Sequence, residues 1–155
     1  MAMSCIPGSC ILVLQGPNLN MLGAREPDKY GLKTLEEVHG DLKEYFSVKN
    51  KNNNVDICFF QSNSEAALIE KLHESIDNCV GLIINPAGLT HSSVSLRDAA
   101  SMVSCPKVEV HISNIYKREH FRQHSYFHDV VDCIIAGAGT EGYLLGLDYL
   151  LKKIS

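Results

Sequence analysis

The stretch ILVLQGPNLNMLGAREPDKYG, residues 11–31, decides the fold. Ile11 to Leu14 is an unbroken apolar run, the pattern of a strand buried on both faces of a parallel sheet, and Gly16-Pro17 stops it abruptly. The residues after it are too polar, and too punctuated by Gly23, Pro27 and Gly31, for helix or strand; a long loop is predicted. Open α/β sheets bind their ligands at the C-terminal ends of strands, and long irregular loops are uncommon unless they have a function. The candidate chemistry of this loop is therefore Asn18, Asn20, Arg25, Glu26 and Tyr30, with a solvated connection as the plain alternative.

Downstream, helical and strand patterns alternate. Residues 34–46 place Leu35, Val38, Leu42, Tyr45 and Phe46 on one helical face, opened by a capping box of Thr34 and Glu37. A polar turn leads to a strand at 55–60, a helix at 64–76 and a third strand at 80–84 that runs into Asn85-Pro86-Ala87-Gly88. A helix over 91–103, a strand at 107–112, a polar histidine-rich connection at 113–129, a strand around 133–136 and a last helix from Thr140 complete the order. Five strands joined through helices predict an α/β, flavodoxin-like three-layer sandwich: a five-stranded parallel sheet, order 2-1-3-4-5, with helices on both faces. One catalytic domain, 11–155, is expected behind a disordered lead-in at 1–10. The loops after strands 1, 3 and 4 should converge, bringing Asn18, Arg25 and Tyr30 to Asn85 and His91 and to His111, Ile112 and Ser113.

A formal net charge of −4 without a basic run argues against non-specific nucleic-acid binding and favours a small-molecule partner. No apolar stretch approaches the roughly 20 residues that span a bilayer, and the N-terminus lacks a basic region followed by an apolar segment, so no membrane role and a cytoplasmic location are expected. The six cysteines, Cys5, Cys10, Cys58, Cys79, Cys105 and Cys133, nowhere fall at C-x-x-C spacing and are expected to be small reduced core residues rather than metal ligands. Gly137 to Gly142 matches G-x-G-x-x-G after a strand and before a helix, but only 13 residues follow, too few to complete a dinucleotide-binding βαβ unit. A non-enzymatic nucleotide- or phosphate-binding module of flavodoxin-like fold is the rival reading. His120, His124 and His128 are spaced by four, as a zinc-holding helix face would be, yet the surrounding charge and aromatics favour a solvated surface.

Four segments, GPNLNMLGAREPDKYG, INPAGLTHSSVSLRDA, VEVHISNIYKREHFRQHS and GTEGYLLGLDYLL, resemble in order the signatures of type II 3-dehydroquinate dehydratase, over nearly all of residues 11–151. The resemblance implies a hydro-lyase, EC 4.2.1.10, of the shikimate pathway and aromatic amino acid biosynthesis. It would reversibly eliminate water, in the anti sense, from 3-dehydroquinate through an enolate, without metal or cofactor, as a homododecamer built as a tetramer of trimers. It also implies roles: Tyr30 as the base, Arg25 as the lid arginine that activates it, Asn18 as holder of the enolate oxygen through a water, His111 as general acid and Glu109 as its orienting partner. Asn85, His91, Ile112, Ser113 and Arg122 match substrate-binding positions. Asp98 matches a residue that reaches a neighbouring subunit's site, and Arg118 a further active-site arginine. The sequence departs from the pattern at Ala87-Gly88, where the order Gly-Ala is expected, and at Leu89 in place of an aromatic; Gly88 is expected to carry the flexible point one residue along.

The chemistry makes demands that these residue types meet. A phenol of pKa about 10 that works as a base near pH 7 needs its anion stabilised by roughly 4 kcal/mol, and one cation at about 4 Å in an effective dielectric near 20 supplies that. A substrate carboxylate needs its own donors, for which the backbone N–H groups of Ile112 and Ser113 are suited. A histidine is the efficient acid for a departing hydroxyl near neutral pH. Read without the resemblance, the two asparagines beside prolines shape turns, Arg25 is a surface cation beside Glu26, His91 starts a helix and His111 is a core histidine. No lysine sits where a Schiff base would be sheltered.

Overall fold

The computed structural model describes residues 8–52 and 54–155, and the greater part of the lead-in expected at 1–10 lies outside them. Five strands, β1 (Ser9–Gln15), β2 (Val55–Gln61), β3 (Cys79–Asn85), β4 (Lys107–His111) and β5 (Cys133–Ala136), form one parallel sheet in the order β2-β1-β3-β4-β5. The first strand begins at Ser9, two residues before the apolar run, so Ser9 and Cys10 belong to the sheet. Its alternation explains why that run had to be apolar throughout. Ile11 and Val13 enter the core on one face, with Leu42, Leu147 and Leu150, while Leu12 and Leu14 enter the other, with Leu68, Leu72 and Leu96. All four are at most 1% exposed, and burying each stabilises the fold by about 1.5 to 3 kcal/mol.

Helices α2 (Leu35–Lys49) and α5 (Glu141–Ile154) cover the first face, α3 (Glu65–Ser75) and α4 (Val94–Ser101) the second. The capping box at Thr34 and Glu37 forms, each side chain bonding the other's backbone N–H, at 3.2 and 2.7 Å, and contributes about 1 kcal/mol. Among the described residues no helix is long and apolar enough to cross a membrane, and no cysteine lies in a disulfide.

Three local expectations are corrected. The loop after β1 is not wholly irregular: Leu19–Met21 makes a 3₁₀ turn and α1 (Pro27–Tyr30) one turn of α-helix, started by proline at its first position. The helix expected from His91 begins at Val94, because the hydroxyl of Ser93 caps it by accepting the Leu96 N–H at 2.9 Å; Ala87–His91 is a separate 3₁₀ turn. The histidine-rich connection holds two 3₁₀ turns, Ile115–Lys117 and His120–Arg122.

Candidate active site

The C-terminal ends of β1, β3 and β4 are drawn together at Gly16. Its N–H donates to the carbonyl oxygen of Asn85 at 2.8 Å, and a Cβ there would lie 2.4 Å from the carbonyl oxygen of Pro86, so only glycine permits the approach. Asn18 follows in the left-handed region, φ 70°, and its N–H donates to Asn63 Oδ1 at 2.9 Å. The loop thus turns back over the sheet edge and carries Arg25 and Tyr30 to the segments after β3 and β4.

One cleft of about 570 Å³, open mouth included, results. It is lined by every residue to which the resemblance assigned a role except Glu109 and Asp98, by Ala87 and Gly88, where the sequence departs from the family pattern, and by Leu19 and Ile115, which the sequence reading did not single out; Asn20 and Glu26 of the first loop do not line it. Glu109 lies fully buried behind His111, whereas Asp98 stands exposed on α4, paired with Arg97 at 2.9 Å and away from this cleft.

The phenol is held differently from expectation. Arg118 Nη1 donates to the Tyr30 hydroxyl at 2.7 Å and also to Ser113 Oγ at 3.2 Å. Arg25, the arginine expected to activate Tyr30, instead stands over the ring, its Cζ 4.9 Å from the centroid, with Glu26 3.6 Å from its Nε. Two guanidiniums therefore flank one phenol, one at its oxygen and one at its face.

Opposite, His111 Nε2 and Glu109 Oε1 are 2.6 Å apart. The hydroxyls of Thr90 and Ser125 donate to the same oxygen at 2.6 Å each, two partners that the sequence reading did not single out although both lie in segments that carry the family resemblance. Burial works against the Glu109 carboxylate, but the hydrogen bond and charge of His111 and the two hydroxyls outweigh it and hold its pKa below the ordinary range. With Nε2 engaged by the carboxylate, Nδ1 is the nitrogen left for a ligand. His91 lies 6.5 Å from His111, ring to ring, and its Nδ1–H donates to the carbonyl oxygen of His124 at 2.6 Å. Burial lowers its pKa, against that bond and with His111, Arg122 and His124 nearby, so the neutral ring offers Nε2 as an acceptor.

Ala87, not Gly88, carries the strained backbone after β3. Its φ is 54°, in the left-handed region that suits glycine, while Gly88 stays outside it. The flexible point has not moved; alanine occupies it.

The two remaining patterns resolve structurally. In the Gly137 to Gly142 turn the N–H groups of Gly137 and Gly139 are spent on the carbonyl oxygens of His111 and Ile112, and that of Gly142 on Gly139, so they are not offered to a phosphate. Gly142 serves packing: a Cβ there would meet Val110 at 3.2 Å. The three histidines share no helix face; His124 packs against His91 and Tyr126, and His128 against Tyr116. Among the described residues no three His, Cys, Asp or Glu cluster as metal ligands would.

Comparison with known proteins shows the family. A 3-dehydroquinate dehydratase of Legionella pneumophila (strain Corby) is 50% identical over 145 residues, 93% of this chain and 97% of that protein. One of Haemophilus influenzae is 51% identical over 147 residues, 92% and 96% of the two chains. The crystal structure of the type II dehydroquinase from Propionibacterium acnes superposes with a TM-score of 0.87 at 39% identity, covering 93% of this chain and 97% of that one. The family model for dehydroquinase class II matches residues 9–151, and the chain belongs to that family.

Proposed function

We infer that the protein is a hydro-lyase that reversibly eliminates water from 3-dehydroquinate to give 3-dehydroshikimate. Family membership and the two relatives named 3-dehydroquinate dehydratase support the activity. The observation that carries the mechanism is the pairing, across one cleft, of a phenol held by a guanidinium with an imidazole held by a carboxylate.

In this reading Tyr30, as phenolate, takes the proton next to the ketone, and the C–H electrons form an enolate whose oxygen is held by Asn18 through a water. His111 gives a proton from Nδ1 to the departing hydroxyl, water leaves, and the enolate collapses to the conjugated enone. One proton is gained by Tyr30 and one lost by His111, so the cycle closes when a proton returns between them through solvent, and neither metal nor organic cofactor is consumed. Glu109 orients His111. Arg118 and Arg25 stabilise the phenolate, Asn85, His91 and Arg122 bind the ring hydroxyls, and Ile112 and Ser113 take the carboxylate. The reaction needs no component outside the cytoplasm, where we place it.

Asp98 points to an assembly. We assign it to the cleft of a neighbouring subunit in a homododecamer, a tetramer of trimers; light scattering should give about 205 kDa for twelve chains of 17.1 kDa, and a monomer would remove Asp98 from the site.

The test of the activity is the absorbance of the conjugated enone on adding 3-dehydroquinate to the purified protein. Tyr30→Phe should abolish turnover while substrate binding, followed by calorimetry, persists. Absence of enone formation by the unmodified chain would overturn the activity, and near-normal turnover by Tyr30→Phe would overturn the assignment of the base.

A further inference from the structure

Behind Asn85 runs a line of polar side chains, Tyr143, Gln15 and His39, that the reaction above leaves unused. Asn85, the last residue of β3, is 3% exposed and its amide is held at both ends. Its Oδ1 accepts the Ala87 N–H at 3.1 Å, and its Nδ2 donates to the Tyr143 hydroxyl at 2.8 Å. Tyr143, from α5, is 0% exposed, and its hydroxyl lies beside the amide of Gln15. Gln15, the last residue of β1, is 0% exposed too, and its Oε1 lies 2.6 Å from His39 Nε2. His39, on α2, is half-buried with its ring stacked on Phe59 at 4.2 Å between centroids. Four elements thus give one side chain each to a line of polar groups leading from the surface to the cleft.

Such a chain is a poor device for stability alone. Burying polar groups costs free energy that their hydrogen bonds barely return, and the Gln15 Nε2 has no partner among the described residues. Apolar side chains would fill the same space at lower cost. What the polar line supplies is direction. The two ends of a primary amide are almost the same size, so an amide in a cleft presents oxygen or nitrogen interchangeably unless its neighbours distinguish them. The Ala87 N–H can only donate, which demands the oxygen, and the Tyr143 hydroxyl accepts from the nitrogen at the other end. One N–H and one oxygen lone pair then remain, in fixed places.

We propose that Tyr143, with Gln15 and His39 behind it, is a positioning residue that locks the Asn85 amide in one orientation and so sets which substrate hydroxyl it recognises. The proposal rests on the assignment of Asn85 to substrate binding made above. Tyr143→Phe keeps the buried ring and removes only the hydroxyl. It should raise KM for 3-dehydroquinate about tenfold with kcat changed less than twofold, because an oriented hydrogen bond that is absent from ground and transition states alike affects binding alone. In an Asn85→Ala background the same substitution should change KM less than twofold, since the group it orients is gone. A purely structural hydroxyl would instead act alike in both backgrounds. If Tyr143→Phe does not fold, Gln15→Met in the same two backgrounds should show the same inequality. Independent of turnover, NMR of the Asn85 side-chain amide should show a hydrogen protected from exchange in the unmodified protein and unprotected in Tyr143→Phe. Unchanged KM, equal changes in both backgrounds, or unchanged protection would each overturn the lock, whereas absence of turnover by the unmodified chain would overturn the dehydratase reading and leave the protection measurement to decide the lock.

Discussion

Arg118 and Arg25 make unequal claims on Tyr30, and their removal should separate them. The Arg118 guanidinium is within 2.7 Å of the phenol oxygen and its side chain is 12% exposed. A full charge about 4 Å from the phenolate oxygen, in an effective dielectric near 20, contributes about 4 kcal/mol. The same group bonded to a neutral phenol contributes only about 1 kcal/mol, so the preference for the charged form is about 3 kcal/mol. Losing it should lower kcat by about 10². Arg25 is 33% exposed, shares its charge with Glu26 and meets the ring face, where a cation contributes about 0.5 to 1 kcal/mol. Arg25→Ala should therefore reduce kcat only several-fold, and more than it weakens affinity. The assay is kcat at saturating 3-dehydroquinate from enone absorbance, with Ser113→Ala as the control for the second hydrogen bond of Arg118. A loss below fivefold for Arg118→Ala, or a larger one for Arg25→Ala, would refute the reasoning and return the activating role to Arg25.

Two predictions concern stability. Ala87→Gly should raise Tm by about 1 to 3 °C, because relief of about 1 to 2 kcal/mol of left-handed strain exceeds the extra entropy that glycine gives the unfolded chain; a lower Tm would show that Ala87 is unstrained. His39 is pushed down to about 4 by burial and, secondarily, by Lys43, from an ordinary 6.5. The unfolded chain therefore takes up a proton that the folded one refuses as pH falls from 6.5, so stability decreases toward pH 4 and levels off below it. Discounted for partial exposure this amounts to about 1 to 2 kcal/mol. His39→Asn should lose less Tm than the unmodified protein between pH 7 and 4.5, by about 3 to 6 °C; equal losses would remove His39 as the cause.

The architecture was legible in the sequence because the signals for it are local. An apolar run of four residues, a helical repeat from Leu35 to Phe46 and a Thr34–Glu37 box each declare an element within a few residues, and alternation of strands with helices leaves few ways to order a parallel sheet. Most pocket residues, from Asn18 to Ser113, were legible for a similar reason: they lie on the loops that leave the ends of β1, β3 and β4, and those ends meet, whereas Arg118 and Arg122 were indicated only by the family resemblance. Element boundaries failed where side chains competed for a cap, as when Ser93 rather than His91 started α4.

What sequence alone determined was thus the set of elements, their order and the residues gathered at one edge of the sheet. Which atom faces which was decided only in three dimensions. Arg118 reaches the Tyr30 hydroxyl across 88 positions of chain, Thr90 and Ser125 converge on Glu109 from separate segments, and Asn85 meets Tyr143 from across the sheet. Periodicity repeats along a chain and can be read there; a hydrogen bond between distant segments depends on the whole path of the backbone to within an ångström, and no short stretch of residues records that.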